Sequence, residues 1–411
     1  MPPVTFTTGG ALRKSTMRQA NERLILSVVR RNPSVSRADI VRITGLSPSS
    51  VTFIVKRLKR DKILCEERLN NPSQVGRRPT ALRLRASARL AIGVEITQAG
   101  ARIAMADLND TQLAEKIVPW SPSSELFFDK THAAIRGFVE PAAGQALGVG
   151  VALPGTIDRK EGKIIAAENL GWFGVEAGDR LRRDLKTPFY FENEAKLSAL
   201  AEMWFSDREA APLRNFVSVI ARGGVGTGVI VNGQILQGAT SAAAEFGHIP
   251  IYPDGRRCAC GNVGCWEQYA SDLALSRIYG DQPGRVAGEP AEEIVRKARN
   301  GEPAALEAVH VVARYVGMGF VNLVMALNPQ AIVVGDYLAQ AWDLMEETVW
   351  NVLRSRAPAY FLNGLRVFPS RHGTESSLRG AMALVLARFF HSFGDGSPSR
   401  FSNAVIMQDF G

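Results

Sequence analysis

Near Leu90 the apolar periodicity of this 411-residue chain changes, and its charge changes at the same place. Before that point apolar residues recur at helical spacing, and after it short apolar strands alternate with helical stretches. A joint change of period and charge marks a boundary between separately folded bodies, which the length allows. Residues 1–84 hold 17 Lys+Arg against 5 Asp+Glu, whereas the remaining 327 residues hold 32 against 35. The excess positive charge therefore sits in the first fifth of the chain. That placement points to polyanion binding by a folded module rather than to a solvated tail.

The basic segment has the punctuation of a helix-turn-helix. From Asn21, the residues Leu24, Ile25, Val28 and Val29 share one helical stripe, which Pro33 ends. Ser36 caps a short second helix with Asp39 at its third position, and Gly45 supplies the turn. Ser47 caps a third helix, Pro48 lies in its first turn, and Val51, Ile54, Val55 and Leu58 form its apolar face. In such a motif the later helix enters the major groove. Ser47, Ser49, Ser50 and Thr52 are then expected near base edges, and Lys56 and Arg57 near phosphates. Serine and threonine hydroxyls suit several base edges, so they do not disclose the operator sequence. The stretch "ILCEERLNNPSQVGRRPTALRL" predicts two short strands around a polar loop, a wing whose tip, Gly76, Arg77 and Arg78, would enter a narrow minor groove. The rival readings are a protein-docking module and a linker with two solvated arginines. We expect a flexible segment over 1–15 and a winged helix-turn-helix domain over 16–85, with double-stranded DNA as partner.

Beyond it, "LAIGVEI" and "ARIAMADL" read as adjacent strands, "ALGVGVALPG" as a buried strand entering a turn, and "FVSVIARGGVGTGVIVNG" as a hairpin around glycines. A long helix is expected from Ala304 to Leu327, then a strand at "AIVVGD". The order suits two α/β halves facing a cleft. No run of about 18 uncharged apolar residues and no signal pattern occur, so no membrane partner and a cytoplasmic location are expected.

Three of the four cysteines fall within eight residues. With His248, the residues Cys258, Cys260 and Cys265 supply one imidazole and three thiolates, a closed tetrahedral set suited to structural Zn2+. Gly261 and Gly264 let the loop 248–265 turn back toward one ion, whereas Cys258 and Cys260 are too close in sequence for an easy mutual disulfide. Three buried cysteines with a core histidine would be the alternative. His132, His310, His372 and His391 stand apart and read as structural or exposed. Glu245 and Glu267 flank the ligands, where the ion would fix both carboxylates to accept sugar hydroxyls.

The segments "GVGVALPGTID", "NLGW", "ENEA", "GGVGTGVIVNGQIL", "EFGH" and "CACGNVGCWE" together resemble the ROK family of sugar kinases and sugar-responsive repressors, and the winged head matches its repressor branch. The likeness runs from about residue 16 to 390. It implies an α/β fold in which the winged helix-turn-helix precedes a two-lobed, actin-like (ribonuclease-H-like) domain over 88–392, leaving 393–411 as a tail. It also implies the zinc site and a sugar held by Asn169, Asn193, Glu194, Glu245, His248 and Glu267, with Gly155 nearby. A homodimer or a dimer of dimers is implied as well.

Two departures from the kinases bear on activity. Glu194 stands where they carry a catalytic aspartate, and its extra methylene displaces the carboxylate by about 1 Å, enough to cost about 10²-fold in rate. The stretch "GVEITQAG" at 93–100 stands where they have an aspartate, a glycine pair and a threonine. There Glu95 replaces the acid, and Thr97 and Gln98 place side chains where bare backbone should approach phosphate. We therefore expect no enzyme activity. The expected function is repression of carbohydrate uptake or catabolism genes, released by a monosaccharide. The alternatives are an ATP-dependent sugar kinase working through Glu194, and a vestigial pocket with DNA release driven by a protein partner.

Overall fold

The structure, a computed structural model, describes residues 14–32, 34–68, 80–121, 123–205, 213–285 and 288–390. These divide into two compact units.

The first unit begins with α1 (Lys14–Arg31), α2 (Arg37–Thr44) and α3 (Pro48–Arg60). Helix α1 starts earlier than its apolar stripe suggested, because its first turns are polar and carry no periodicity to read. The expected edge at residue 16 therefore falls inside this helix. Ser36 and Asp39 form a complete capping box on α2, which ends at Gly45 in the left-handed conformation (φ 68°). Ser47 caps α3 through the Ser50 amide, and Val51, Ile54, Val55 and Leu58 are buried beneath the helix. Strands β1 (Leu64–Arg68) and β2 (Thr80–Leu84) pair antiparallel, with Leu64 opposite Leu84, as a wing requires. The tip between them, with Gly76, Arg77 and Arg78, lies outside the described residues, as does the tail over 393–411. This unit also takes in Asp107–Thr111 and the residues 386–390, which the sequence assigned to the larger domain. Leu108 N–H donates to the Ala86 carbonyl (3.1 Å), Arg30 pairs with Asp110 (3.0 Å), and Ser27 donates to the Phe390 carbonyl (2.9 Å).

The second unit contains two five-stranded sheets. One uses β3 (Leu90–Thr97), β4 (Gly100–Asp107), β5 (Gln112–Pro119), β6 (Ala146–Leu153) and, after a small antiparallel sheet of β7 (Thr156–Asp158), β8 (Lys163–Ala167) and β9 (Trp172–Val175), strand β10 (Phe189–Asn193). The other uses β11 (Phe216–Ala221), β12 (Val225–Val231), β13 (Gln234–Ile235), β14 (Ala331–Val334) and β15 (Arg366–Pro369). The spatial orders β5-β4-β3-β6-β10 and β13-β12-β11-β14-β15 are the same when each sheet's strands are counted from its own first strand. Each half is thus three successive strands side by side, with two later strands added beyond the first. This repeated connectivity is the two-lobed architecture that the resemblance implied.

Separate apolar cores support the halves. Ile92, Val94, Phe127, Phe128, Val151 and Trp172 belong to the first. Val217, Trp266, Phe320, Ile332 and Met345 belong to the second. The helix Pro303–Leu327 is the one described helix long and apolar enough to cross a membrane, but Val309, Val312, Val316, Phe320 and Leu323 on it lie wholly within the second core.

Candidate functional site

The sequence that closes the metal loop is held from below by Trp266. Its ring is 1% exposed, its indole N–H donates to the Tyr315 carbonyl (2.9 Å), and Gly319 leaves room for it. A Cβ at Gly319 would lie 1.9 Å from the indole. Trp266 thereby fixes Cys265 before it and Glu267 after it. Gly264 adopts φ 75°, and a Cβ there would sit 1.6 Å from the Tyr252 carbonyl oxygen, so only glycine fits. The loop folds back through Ile251 N–H on Gly264 O (2.8 Å) and Cys258 N–H on Asn262 O (2.9 Å).

This brings His248, Cys258, Cys260 and Cys265 together, with their four ligand atoms within 4.8 Å of one another. His248 Nδ1 is 3.6 Å from Cys258 Sγ, and Cys260 Sγ is 3.8 Å from Cys265 Sγ. A tetrahedron with Zn–S of about 2.3 Å and Zn–N of about 2.0 Å has edges of about 3.5–3.8 Å. The quartet could therefore hold a metal ion with little rearrangement. Burial pushes the Cys265 thiol up to about 11, and the Cys258 thiol higher still. Without a cation these thiols keep their protons, and Cys258 donates to Glu267 Oε1 at 2.8 Å. A bound cation reverses that preference by stabilising thiolates. Among the other histidines, His132 is buried, its Nδ1 3.0 Å from the Leu181 carbonyl, and burial lowers His372 to about 4.

The residues expected to hold the sugar gather beside this loop. Glu267 is 4% exposed, with Oε1 3.8 Å from His248 Nδ1. Its other oxygen presses on Gly224, where a Cβ would lie 2.6 Å from it and 3.0 Å from Asn169 Nδ2. Asn169 donates to the Gly223 carbonyl (2.9 Å) and tethers the two halves, and its own carbonyl accepts from Gln98 (3.0 Å). Asn193 is occupied structurally. Its amide donates to Gly155 O (2.9 Å), and its oxygen accepts from the Ala195 and Lys196 amides, capping the helix Glu194–Phe205. Burial raises the Glu245 carboxyl, opposed by the charges of His248 and Lys196.

Sequence reading missed the charged group at the centre. Arg222 reaches from the end of β11 to Glu95 on β3 (2.9 Å) and to Asp336 just after β14 (2.5 Å). Glu95 is 0% and Asp336 2% exposed. Glu95, in the place of the kinases' acid, is thus an anchor for Arg222, and Gln98 lies against Gly223. Glu194 faces this cluster. Burial, with Glu95, Asp336 and Glu245 adding and Arg222 opposing, pushes its carboxyl up to about 8. At neutral pH the protonated form is favoured, and a protonated carboxyl cannot serve as a general base.

That proton has a stability signature. The folded carboxyl keeps it while the unfolded chain loses it near pH 4.3, so the contribution is complete below that value and is lost as pH rises toward 8. Glu194→Gln should melt with the parent at pH 4 and several degrees above it at pH 8.5. Parallel melting curves across that range would show that Glu194 holds no such proton.

On the first unit, the candidate DNA face is α3. Ser47 and Ser50 are partly spent on each other (2.9 Å), and Ser49 and Lys56 are exposed. Thr52 is half-buried. Arg57 is engaged by Glu22 of α1, so its guanidinium braces two helices as well as adding charge.

A winged helix-turn-helix unit and a separate two-sheet unit carrying a His/Cys3 loop define a DNA-binding regulator with a ribonuclease-H-like body. Comparison with known families identifies it further. Residues 91–388 match the ROK family and residues 18–64 match a winged helix-turn-helix DNA-binding family, and the chain belongs to the ROK family. It is similar to a xylose repressor of Bacillus spizizenii, 27% identical over 91% of this chain and 96% of that protein. The crystal structure of a ROK family transcriptional regulator homologous to the E. coli MLC protein shares the fold, at TM-score 0.77 and 22% identity, covering 91% of this chain and 97% of that one. A ROK family glucokinase from Streptomyces griseus, solved with glucose and AMPPNP, matches at TM-score 0.63 and 28% identity over 72% of this chain and 98% of its own.

Proposed function

We propose that this chain is a transcriptional repressor of carbohydrate uptake or catabolism genes, with residues 16–85 as its DNA-binding domain, 88–392 as its sugar-binding domain, and a monosaccharide as the signal that releases the operator. One observation carries the reading. His248 directs Nδ1 at the thiols, which leaves its Nε2–H to donate to sugar hydroxyls, and Glu245 and Glu267 to accept from them, beside a loop that structural Zn2+ would stiffen. The repressor relatives support the same reading and make a pentose the first sugar to try. Asn169, Glu194 and the second amide hydrogen of Asn193 complete the proposed contacts. The chain would act in the cytoplasm as a homodimer or a dimer of dimers, its DNA-binding heads spaced to read half-sites about 34–36 Å apart.

A thermal-shift screen of monosaccharides tests the sugar arm. One of them should raise the melting temperature, and Glu245→Ala should weaken its binding about 10- to 100-fold, the loss of a charge-assisted hydrogen bond. No shift with any sugar would remove the sugar site from the account. The kinase reading draws on the glucokinase likeness. It is excluded if purified protein with ATP, magnesium and a hexose panel shows no turnover above background. Turnover abolished by Glu194→Gln would establish it.

A further inference from the structure

Four residues of α3, Ser49, Phe53, Lys56 and Arg60, are exposed along one stripe at i, i+4, i+7 and i+11. This is the face a helix-turn-helix offers to the major groove. Most of the polar groups around it are committed. Ser47 and Ser50 share hydrogen bonds at the cap, Arg57 is held by Glu22, and Lys59 pairs with Glu66 (2.5 Å). Serine hydroxyls suit many base edges, and Lys56 and Arg60, the latter paired with Asp61 (3.1 Å), can serve phosphates or guanine, so none of the three reads thymine.

Phe53 is the exception. Its ring is 53% exposed although it lies mid-helix, and the buried stripe passes it by on both sides. Arg18 of α1 places its guanidinium over the ring, 4.6 Å from the centroid, which fixes the ring's orientation while the arginine itself stays exposed. In the major groove one group is apolar, the 5-methyl of thymine. Among the described residues Phe53 is the one exposed apolar side chain of α3, with Met17 of α1 beside it, and an oriented phenyl ring is matched to that methyl and to no other base edge.

We infer that Phe53 is the thymine-reading residue of the DNA-reading helix, contacting a thymine methyl in each operator half-site, with Arg18 holding the ring in place and reaching an adjacent phosphate. The inference rests on the proposed DNA binding.

The test uses the full chain. Duplexes are selected from a randomised pool, and in the best duplex each thymine is replaced in turn by deoxyuridine, which lacks the methyl. At one thymine per half-site the replacement should weaken wild-type binding about fivefold. Phe53→Ala should bind that thymine duplex about fivefold more weakly, show no further loss with deoxyuridine, and keep its salt dependence and melting temperature. 5-Methylcytosine at that site should be tolerated better than cytosine by wild type alone. If wild type is indifferent to every deoxyuridine, or Phe53→Ala selects the same thymines, the inference is wrong while DNA binding stands. Failure to bind any duplex, even at low salt, would remove both.

Discussion

Cys265→Ser is expected to bind close to no zinc and to melt at least about 10 °C below the parent. Cys265 is wholly buried, its sulfur is 3.8 Å from that of Cys260, and its neighbour Trp266 seats the loop in the core of the second half. Loss of a structural metal belongs to the short list of changes that cost more than about 4 kcal/mol, and in a unit of this size each kcal/mol moves the melting temperature by about 2–4 °C. Elemental analysis should find about one zinc per parent chain. A strong chelator should give the parent the melting behaviour of the variant. Cys65→Ser, a thiol on β1 remote from the quartet in sequence, should leave zinc content and melting unchanged. Metal-free parent protein that melts as the zinc-loaded protein does would show that the quartet is a packed thiol cluster.

Arg222→Met is the second large effect. It leaves Asp336 buried without the cation that offsets it and Glu95 with only Arg102, 3.8 Å away, and removal of one partner from a buried ion pair costs about 3–5 kcal/mol. About a third of the Arg222 side chain is exposed (31%), so the lower figure applies, and a fall of about 6–12 °C is expected at pH 8. Burial already raises the Asp336 carboxyl, and loss of the guanidinium raises it further. A group with a raised folded pKa loses its contribution as pH increases, so the deficit should grow from pH 5 to pH 8. Arg222→Lys keeps the charge without the two-pronged reach and should fall between. A deficit that is small and independent of pH would show that the cluster does not hold the halves together.

The extent to which the sequence disclosed this molecule varies with the range of the interactions. Helix α3 was legible because Ser47, Pro48 and the Val51–Leu58 stripe act within 13 residues, and the β11–β12 hairpin because its glycines and β-branched residues are contiguous. The gathering of His248, Cys258, Cys260 and Cys265 was legible for the same reason. Strand β5 was not, since this edge strand exposes Leu113 and Ile117 and shows no alternation. The small sheet β7–β9 escaped because its strands are three to five residues long. Arg222 escaped because its partners lie 127 and 114 residues away, and beside Gly223 and Gly224 it reads as part of a turn. Phe53 was visible as a letter but not as an exposed ring, because a phenylalanine amid Val51, Ile54 and Val55 reads as core.

The central claim is that carbohydrate occupancy of the zinc-braced site sets the DNA affinity of the winged head. Its most direct test is fluorescence anisotropy of a labelled, pool-selected duplex with the full zinc-loaded chain, titrated at fixed salt with xylose and then with other monosaccharides. One sugar should weaken DNA binding at least about tenfold, a coupling of about 1.4 kcal/mol, and Glu245→Ala should require far more of it while binding DNA normally in its absence. A sugar that raises the melting temperature yet leaves the anisotropy curve in place would contradict the account.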